Sequence, residues 1–248
     1  MSEPCLSLFQ RLEITPCVGL LPEHVQNLAN AGHDLASLNS EAVALHDALF
    51  STEDIARLVL GANYERLAAS MKRCTSAVAA IAPARVVDLG GGCGIVCFEA
   101  AQLSPESTFF VVDRSKSALA IGELWASWLG LPNMSFVRSE FGAPDLGHVL
   151  GTDYDLVVLE YVFDAAPLHG DEAQAVSEMT PAFTSAVSRL RERAVVQVRF
   201  GNFCEVGISA LVRAAFRVGL LVDMIELAHD GCTLRFTRSQ EPERTEDF

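Results

Sequence analysis

The segment Val86-Val87-Asp88-Leu89-Gly90-Gly91-Gly92-Cys93-Gly94 constrains this chain more than any other. An apolar run ends, an acid sits near its tip, and glycines crowd the turn before the next apolar stretch. Glycine tolerates positive φ and lets the backbone approach a ligand closely. A helix opening after such a turn presents unpaired N–H groups. The segment therefore reads as a strand, a tight turn and a helix, with a ligand-free turn as the plain alternative.

The flanking pattern agrees. From Ala84 onward, strands are predicted over 85–89, 108–112 (ending at Asp113), 134–137, 155–159, 194–200, 220–227 and 233–237. Helices are predicted over 95–103, 117–129, 172–191 and 206–218, with Pro181 expected to kink or split the third. Strand–helix alternation implies a parallel sheet covered on both faces. Asp230-Gly231 is a hairpin signal, so the last strand should run antiparallel. Residues 1–80 read differently. Leu35, Leu38, Ala42, Leu45 and Leu49 form one apolar helical stripe behind Asp34 as N-cap. Ser51-Thr52-Glu53-Asp54 resembles a capping box ahead of Ile55, Leu58 and Val59. A further helix is expected over 63–80, ended by Pro83. The expected organisation is a helical cap or lid (1–80), a ligand-binding sheet domain (81–239) and an acidic, disordered tail (240–248).

Composition narrows the partners. The charge balance is 18 − 32 = −14 over 248 residues. Nucleic-acid binders usually carry a basic face, so a nucleic-acid partner is disfavoured, as is an anionic membrane surface. The seven cysteines include no CxxC pair, which speaks against a zinc knuckle or a disulfide framework. No apolar run approaches 18 residues, and Met1-Ser2-Glu3-Pro4 lacks signal-peptide character. A cytoplasmic protein is expected. No His, Asp or Glu cluster has metal-ligand spacing, so metal-free chemistry is expected. A homodimer is one choice that the sequence leaves open.

The glycines do not suit a dinucleotide. In a G-x-G-x-x-G register the third glycine would fall on Ile95 or Cys97. An acid two residues ahead of the first glycine opposes a phosphate; it suits a ligand carrying an ammonium and a sulfonium. Asp88-Leu89-Gly90-Gly91-Gly92-Cys93-Gly94 resembles motif I of class I S-adenosylmethionine-dependent methyltransferases. The resemblance covers about residues 84–238. It implies a three-layer αβα Rossmann-like fold with a seven-stranded, mostly parallel sheet and an antiparallel last strand. It implies S-adenosyl-L-methionine as cofactor, with Asp88, Gly90 and Gly92 in the donor loop and Asp113 on the ribose hydroxyls. Arg114 would lie beside the adenine. Phe136-Val137-Arg138-Ser139-Glu140-Phe141 is similar to the third motif, with Glu140 on the adenine amino group and Phe141 as an apolar wall. Tyr154–Tyr161 is similar to the fourth. Tyr64, on the helix expected over the donor, would reach its carboxylate, with Arg66 and Arg73 as lesser candidates.

Methyl transfer is an in-line displacement whose main requirement is alignment of nucleophile, methyl and sulfur. An oxygen or nitrogen nucleophile also calls for a base. Catalytic candidates lie beyond the fourth strand: Glu160, Asp164 and His169. Glu160 could also bind the donor's ammonium. Tyr161 and Phe163 could line a small-molecule acceptor pocket, and Asp171 reads as a helix N-cap. Each has a plainer reading: Asp113 as a helix cap, Glu140 and His169 as solvated loop residues, Glu160 as a strand-end acid, Cys93 and Cys97 as space-fillers. No Asn-Pro-Pro-Tyr tetrad follows the fourth strand. The expected activity is O- or N-methylation of a small biosynthetic molecule. The alternatives are an arginine-type protein or peptide N-methyltransferase, and a donor-binding fold used for other chemistry or as a scaffold.

Overall fold

The alternation expected from residue 84 onward is what the chain forms. The computed structural model describes residues 8–16, 44, 47–139, 150–151, 153–160, 172–188, 190–200, 205–228 and 231–238. Helices α1 (Glu53–Ala62) and α2 (Tyr64–Ile81) precede β1 (Arg85–Leu89), α3 (Ile95–Leu103), β2 (Thr108–Asp113), α4 (Lys116–Leu129) and β3 (Met134–Arg138). Then follow β4 (Tyr154–Glu160), α5 (Glu172–Val187), β5 (Leu190–Phe200), α6 (Glu205–Arg217), β6 (Leu220–Ala228) and β7 (Gly231–Arg238). The sheet order is β3-β2-β1-β4-β5-β7-β6. All strands run parallel except β7, which pairs antiparallel with both β5 and β6. The order reverses between β1 and β4. In open α/β sheets the crevice beyond that point is where ligands sit.

Side chains alternate between the sheet's faces. Val86, Val111, Leu156 and Val158 join one core with α2, α3 and α4. Val87, Val112, Val157 and Val196 join the other, with α5 and α6. Helix α2 is built into the first core: Leu67, Met71, Cys74 and Val78 are buried among the strand residues. Of the apolar stripe expected behind Asp34, Leu49 packs against this core. Asp34, Leu35, Leu38, Ala42 and Leu45 lie outside the described residues, as does the tail 240–248. The expected cap before α1 is present, with the Thr52 hydroxyl accepting from the Ile55 N–H at 3.3 Å. No helix among the described residues is long and apolar enough to cross a membrane.

The junction between α5 and β5 differs most from expectation. Helix α5 ends at Val187 and β5 begins at Leu190, so residues 190–193 are strand rather than helix end or loop. The extra residues are absorbed by a register shift between Tyr154 and Leu156 on β4. Helix α5 also runs unsplit through Pro181. Proline removes one N–H and frees the carbonyl four residues earlier. Here Ser177 and Pro181 are both exposed, so water can satisfy that carbonyl.

Gly122 sets the approach of α4 to the glycine turn. A Cβ there would overlap Phe136 Cε1 and stand 2.5 Å from the Cys93 carbonyl oxygen. Alanine normally stabilises a helix by about 1 kcal/mol over glycine. At Gly122 the sign should reverse: Gly122→Ala should cost about 1–3 kcal/mol through overpacking. Gly130→Ala, at φ +68 with open space around it, should cost only about 1–2 kcal/mol of backbone strain. Thermal melts check both, and a Gly122→Ala protein melting at or above wild type would contradict this packing.

Candidate active site

Three acids share one sheet face because of strand alternation and register. Asp88 follows Val86 by two, Asp113 follows Val111 by two, and Glu160 follows Val158 by two, so all three turn toward α2, α3 and α4. Asp88 is level with Val111 on β2 and Val158 on β4. Asp113 and Glu160 therefore stand roughly 6–7 Å further along their strands. The glycine turn passes between two taller neighbours, and all three acids are buried.

The turn is held by backbone contacts. Gly90, Gly92 and Gly94 take φ values of 75, 57 and 74, a left-handed conformation that favours glycine. Gly90 N–H donates to the Val112 carbonyl at 2.7 Å, and Gly94 N–H to the Gly91 carbonyl at 2.8 Å. Asp113 braces the turn: Oδ2 accepts from Gly92 N–H at 2.9 Å and Oδ1 from Ser115 N–H at 2.8 Å. The cap of α4 is Ser115, not Asp113, with its hydroxyl accepting from Ala118 N–H at 3.1 Å. Asp47, from the N-terminal segment, accepts from the Ser115 hydroxyl at 2.6 Å and the Ser117 N–H at 3.1 Å. Its charge sits favourably at the start of α4.

Asp88 lies beneath the turn, 1% exposed. Burial, and next the Glu160 charge, push its carboxyl from the usual 3.8 to about 7; the Cys97 hydrogen bond opposes this and Asp113 adds to it. The Cys97 thiol donates to Asp88 Oδ2 at 3.6 Å and lies 4.0 Å from the Cys74 sulfur. Burial pushes the Cys93 thiol up to about 12. Cys97 is raised well above the ordinary thiol range, first by Cys74 and then by burial. Both stay protonated at neutral pH, which leaves them small and unreactive.

Glu160 is gripped from two sides. The Ser70 hydroxyl donates to Oε2 at 2.8 Å, and Gln197 Nε2 to Oε1 at 3.3 Å. Arg73 Nη2 stands 3.5 Å from Oε2 and donates to the Ser70 oxygen at 2.7 Å. The residues thus form a cradle with more negative than positive charge, roofed by a turn of small residues. That chemistry fits a compact organic cation.

The predicted residues divide as follows. Asp88, Gly90, Gly92, Asp113 and Glu160 come together. Arg114 follows Asp113 directly, half-buried, and its carbonyl accepts from Arg138 Nε at 3.1 Å. Tyr64 is 7% exposed in the core, its ring 4.4 Å from that of Phe9. Glu140, Phe141, Tyr161, Phe163, Asp164, His169 and Asp171 lie outside the described residues. Sequence reasoning missed Ser70, Gln197 and Asp47. Gln197 alone had a signal, a lone amide within the apolar run Val195-Val196-Gln197-Val198.

Residues 82–196 match the family model described as a methyltransferase domain. No curated protein matches the chain. Among solved structures, a proposed O-methyltransferase from Nostoc punctiforme PCC 73102 shares 15% identity at a TM-score of 0.62, covering 92% of this chain and 71% of that one. Precorrin-6y C5,15-methyltransferase from Geobacter metallireducens GS-15 shares 15% at 0.53, covering 68% and 87%. Ribosomal protein L11 methylase from Lactobacillus delbrueckii subsp. bulgaricus shares 16% at 0.52, covering 73% and 80%. Residues 82–196 thus resemble a methyltransferase domain, and the solved structures share its fold.

Asp88 makes stability depend on pH. Its folded value, about 7, lies above the unfolded 3.8. Folding therefore favours the protonated acid; this stability is complete below about pH 4 and is lost as pH rises to 7. Asp88→Asn should raise stability at pH 8 by on the order of 2–4 kcal/mol and leave it nearly unchanged at pH 4. Denaturant melts at the two pH values check this, and equal effects at both would contradict it.

Proposed function

We propose that this methyltransferase domain passes the methyl group of S-adenosylmethionine to an oxygen or nitrogen of a small-molecule acceptor. When bound, the donor supplies an electrophilic methyl on a sulfonium. The observation that carries the donor-side reading is the buried acid group at the tips of β1, β2 and β4 beside a turn of positive-φ glycines. Asp113 would accept the ribose hydroxyls. Its oxygens already hold Gly92 and Ser115 N–H groups, which fix the carboxylate, and each retains acceptor capacity. Asp88 and Glu160 would favour the positive charge of the donor's methionine end. Arg114, Glu140 and Phe141 would surround the adenine, the last two assigned on sequence alone. The core packing of Tyr64 against Phe9 does not favour a donor-carboxylate role.

On the acceptor side, Tyr161 and Phe163 would form the pocket walls, with His169 or Asp164 taking the proton. The grip of Ser70, Arg73 and Gln197 on Glu160 supports a fixed anion rather than a travelling base. A net charge of −14 supports a small acceptor over a polyanion. The buried free cysteines Cys74, Cys93, Cys97 and Cys232 support a reducing, cytoplasmic setting. The N-terminal helices would act as lid and specificity element.

Titration calorimetry with S-adenosylmethionine should show binding, and Asp113→Ala should weaken it at least tenfold, from the loss of about 1.5–3 kcal/mol of charge-assisted hydrogen bonding. Absence of heat at millimolar donor would remove the donor assignment. Radiolabelled donor incubated with fractionated cell extract should then label small molecules. Label confined to protein or RNA would instead overturn the acceptor class.

A further inference from the structure

Helix α2 places Ser70, Arg73 and Cys74 on one face, one turn apart, toward the buried acids. Ser70 touches Glu160 directly, and Cys74 touches Cys97, which donates to Asp88. Around the pair Asp88 and Glu160 stand Asp113 from β2, Cys97 from α3, Ser70, Arg73 and Cys74 from α2, and Gln197 from β5. Arg73 is the charged group among them that opposes the acids. Its short hydrogen bond, 2.7 Å, goes to the Ser70 oxygen rather than to an acid. The contact to Glu160 is 3.5 Å long, and among the described residues the buried Nε meets no acceptor. A guanidinium fork used for bonding pairs its donors. What Arg73 adds to that bond is positive charge beside a buried carboxylate, where a charge acts strongly.

We infer that Arg73, through Ser70, is a positioning residue that fixes the Glu160 carboxylate as an anion and so sets how much negative charge Asp88 and Glu160 together carry when the cationic donor arrives. This rests on the donor assignment above. Two buried acids that feel each other's charge titrate together, and neither titrates alone. Without Arg73 the pair holds a proton to higher pH and meets the donor with less negative charge. A residue that merely packed α2 against the sheet would change stability without moving that balance.

The test is donor affinity by titration calorimetry from pH 6 to 9, with thermal melts alongside. Wild-type affinity should rise with pH through neutrality. In Arg73→Gln the midpoint should move up by about one unit, so that affinity falls about fivefold at pH 7 and approaches wild type at pH 9. Arg73→Lys, which keeps the charge, should restore the wild-type midpoint. Ser70→Ala should move it up by less. A uniform loss of affinity across pH in Arg73→Gln, or an unmoved midpoint, overturns the inference. If Arg73→Gln does not fold, a displaced midpoint in Arg73→Lys or an unmoved one in Ser70→Ala overturns it equally. Absence of donor binding by the wild-type protein at every pH removes the donor assignment and this inference with it, and is told apart by needing no variant.

Discussion

The molecule turns on one constraint: β1 ends short of its neighbours, and the acid near its tip has nowhere to go but inward. Strand alternation commits Asp88 to the face covered by α2 and α3, and register places it one step below Asp113 and Glu160. The glycine turn lies so tightly over it that a Cβ on Gly91 would stand 2.5 Å from Asp88 Oδ2. A carboxylate in such a position loses its hydration and meets two like charges. The fold accepts that cost at the place where the sheet order reverses, so the unfavourable charge becomes an attraction as soon as a cation occupies the crevice.

The same constraint explains why the N-terminal helices are no appendage. Glu160 cannot be left unpaired in the interior, and two of the groups that meet it, Ser70 and Arg73, come from α2. Asp47, earlier still, reaches the start of α4 and ties the cap residue Ser115. Helix α2 shares its apolar side with β1 and β4 in one core. Movement of α2 away from the sheet would expose that core and strand a buried acid together. The segment that would shape the acceptor side is thereby coupled energetically to the donor side.

How far the sequence could be read follows from the range of the interactions. The glycine turn, β1, α3 and the acids at strand tips were legible because each is written by local periodicity, and the period of two fixes which face an acid takes. The antiparallel last strand was legible from a short turn. The start of β5 was not: Arg191-Glu192-Arg193 looks like a polar helix end, and only pairing with β4 makes it strand. That the helix would continue unsplit through Pro181 was not legible, because the cost of proline in a helix depends on whether the freed carbonyl meets water, which is a tertiary fact. Ser70 and Asp47 carry ordinary residue types on helix surfaces, and their partners lie 90 and 68 positions away. Nothing local marks them.

The choice of cysteine beside Asp88 fits the same physics. An alcohol or amide at position 97 would donate a stronger hydrogen bond and hold the carboxyl low, as backbone amides do for many buried acids. A thiol is a weak donor, and here it is 3.6 Å away with its own ionisation suppressed. It fills the space, satisfies one oxygen loosely, and leaves the charge state of Asp88 to be decided by what stands above it. Burial, and next Glu160, push that state toward the neutral acid, Arg73 offsets Glu160, and a cation in the crevice would pull toward the carboxylate. The scaffold thus holds Asp88 near neutrality, and a cation in the crevice would shift it further, which is the condition under which binding a positive ligand and releasing a proton become one event.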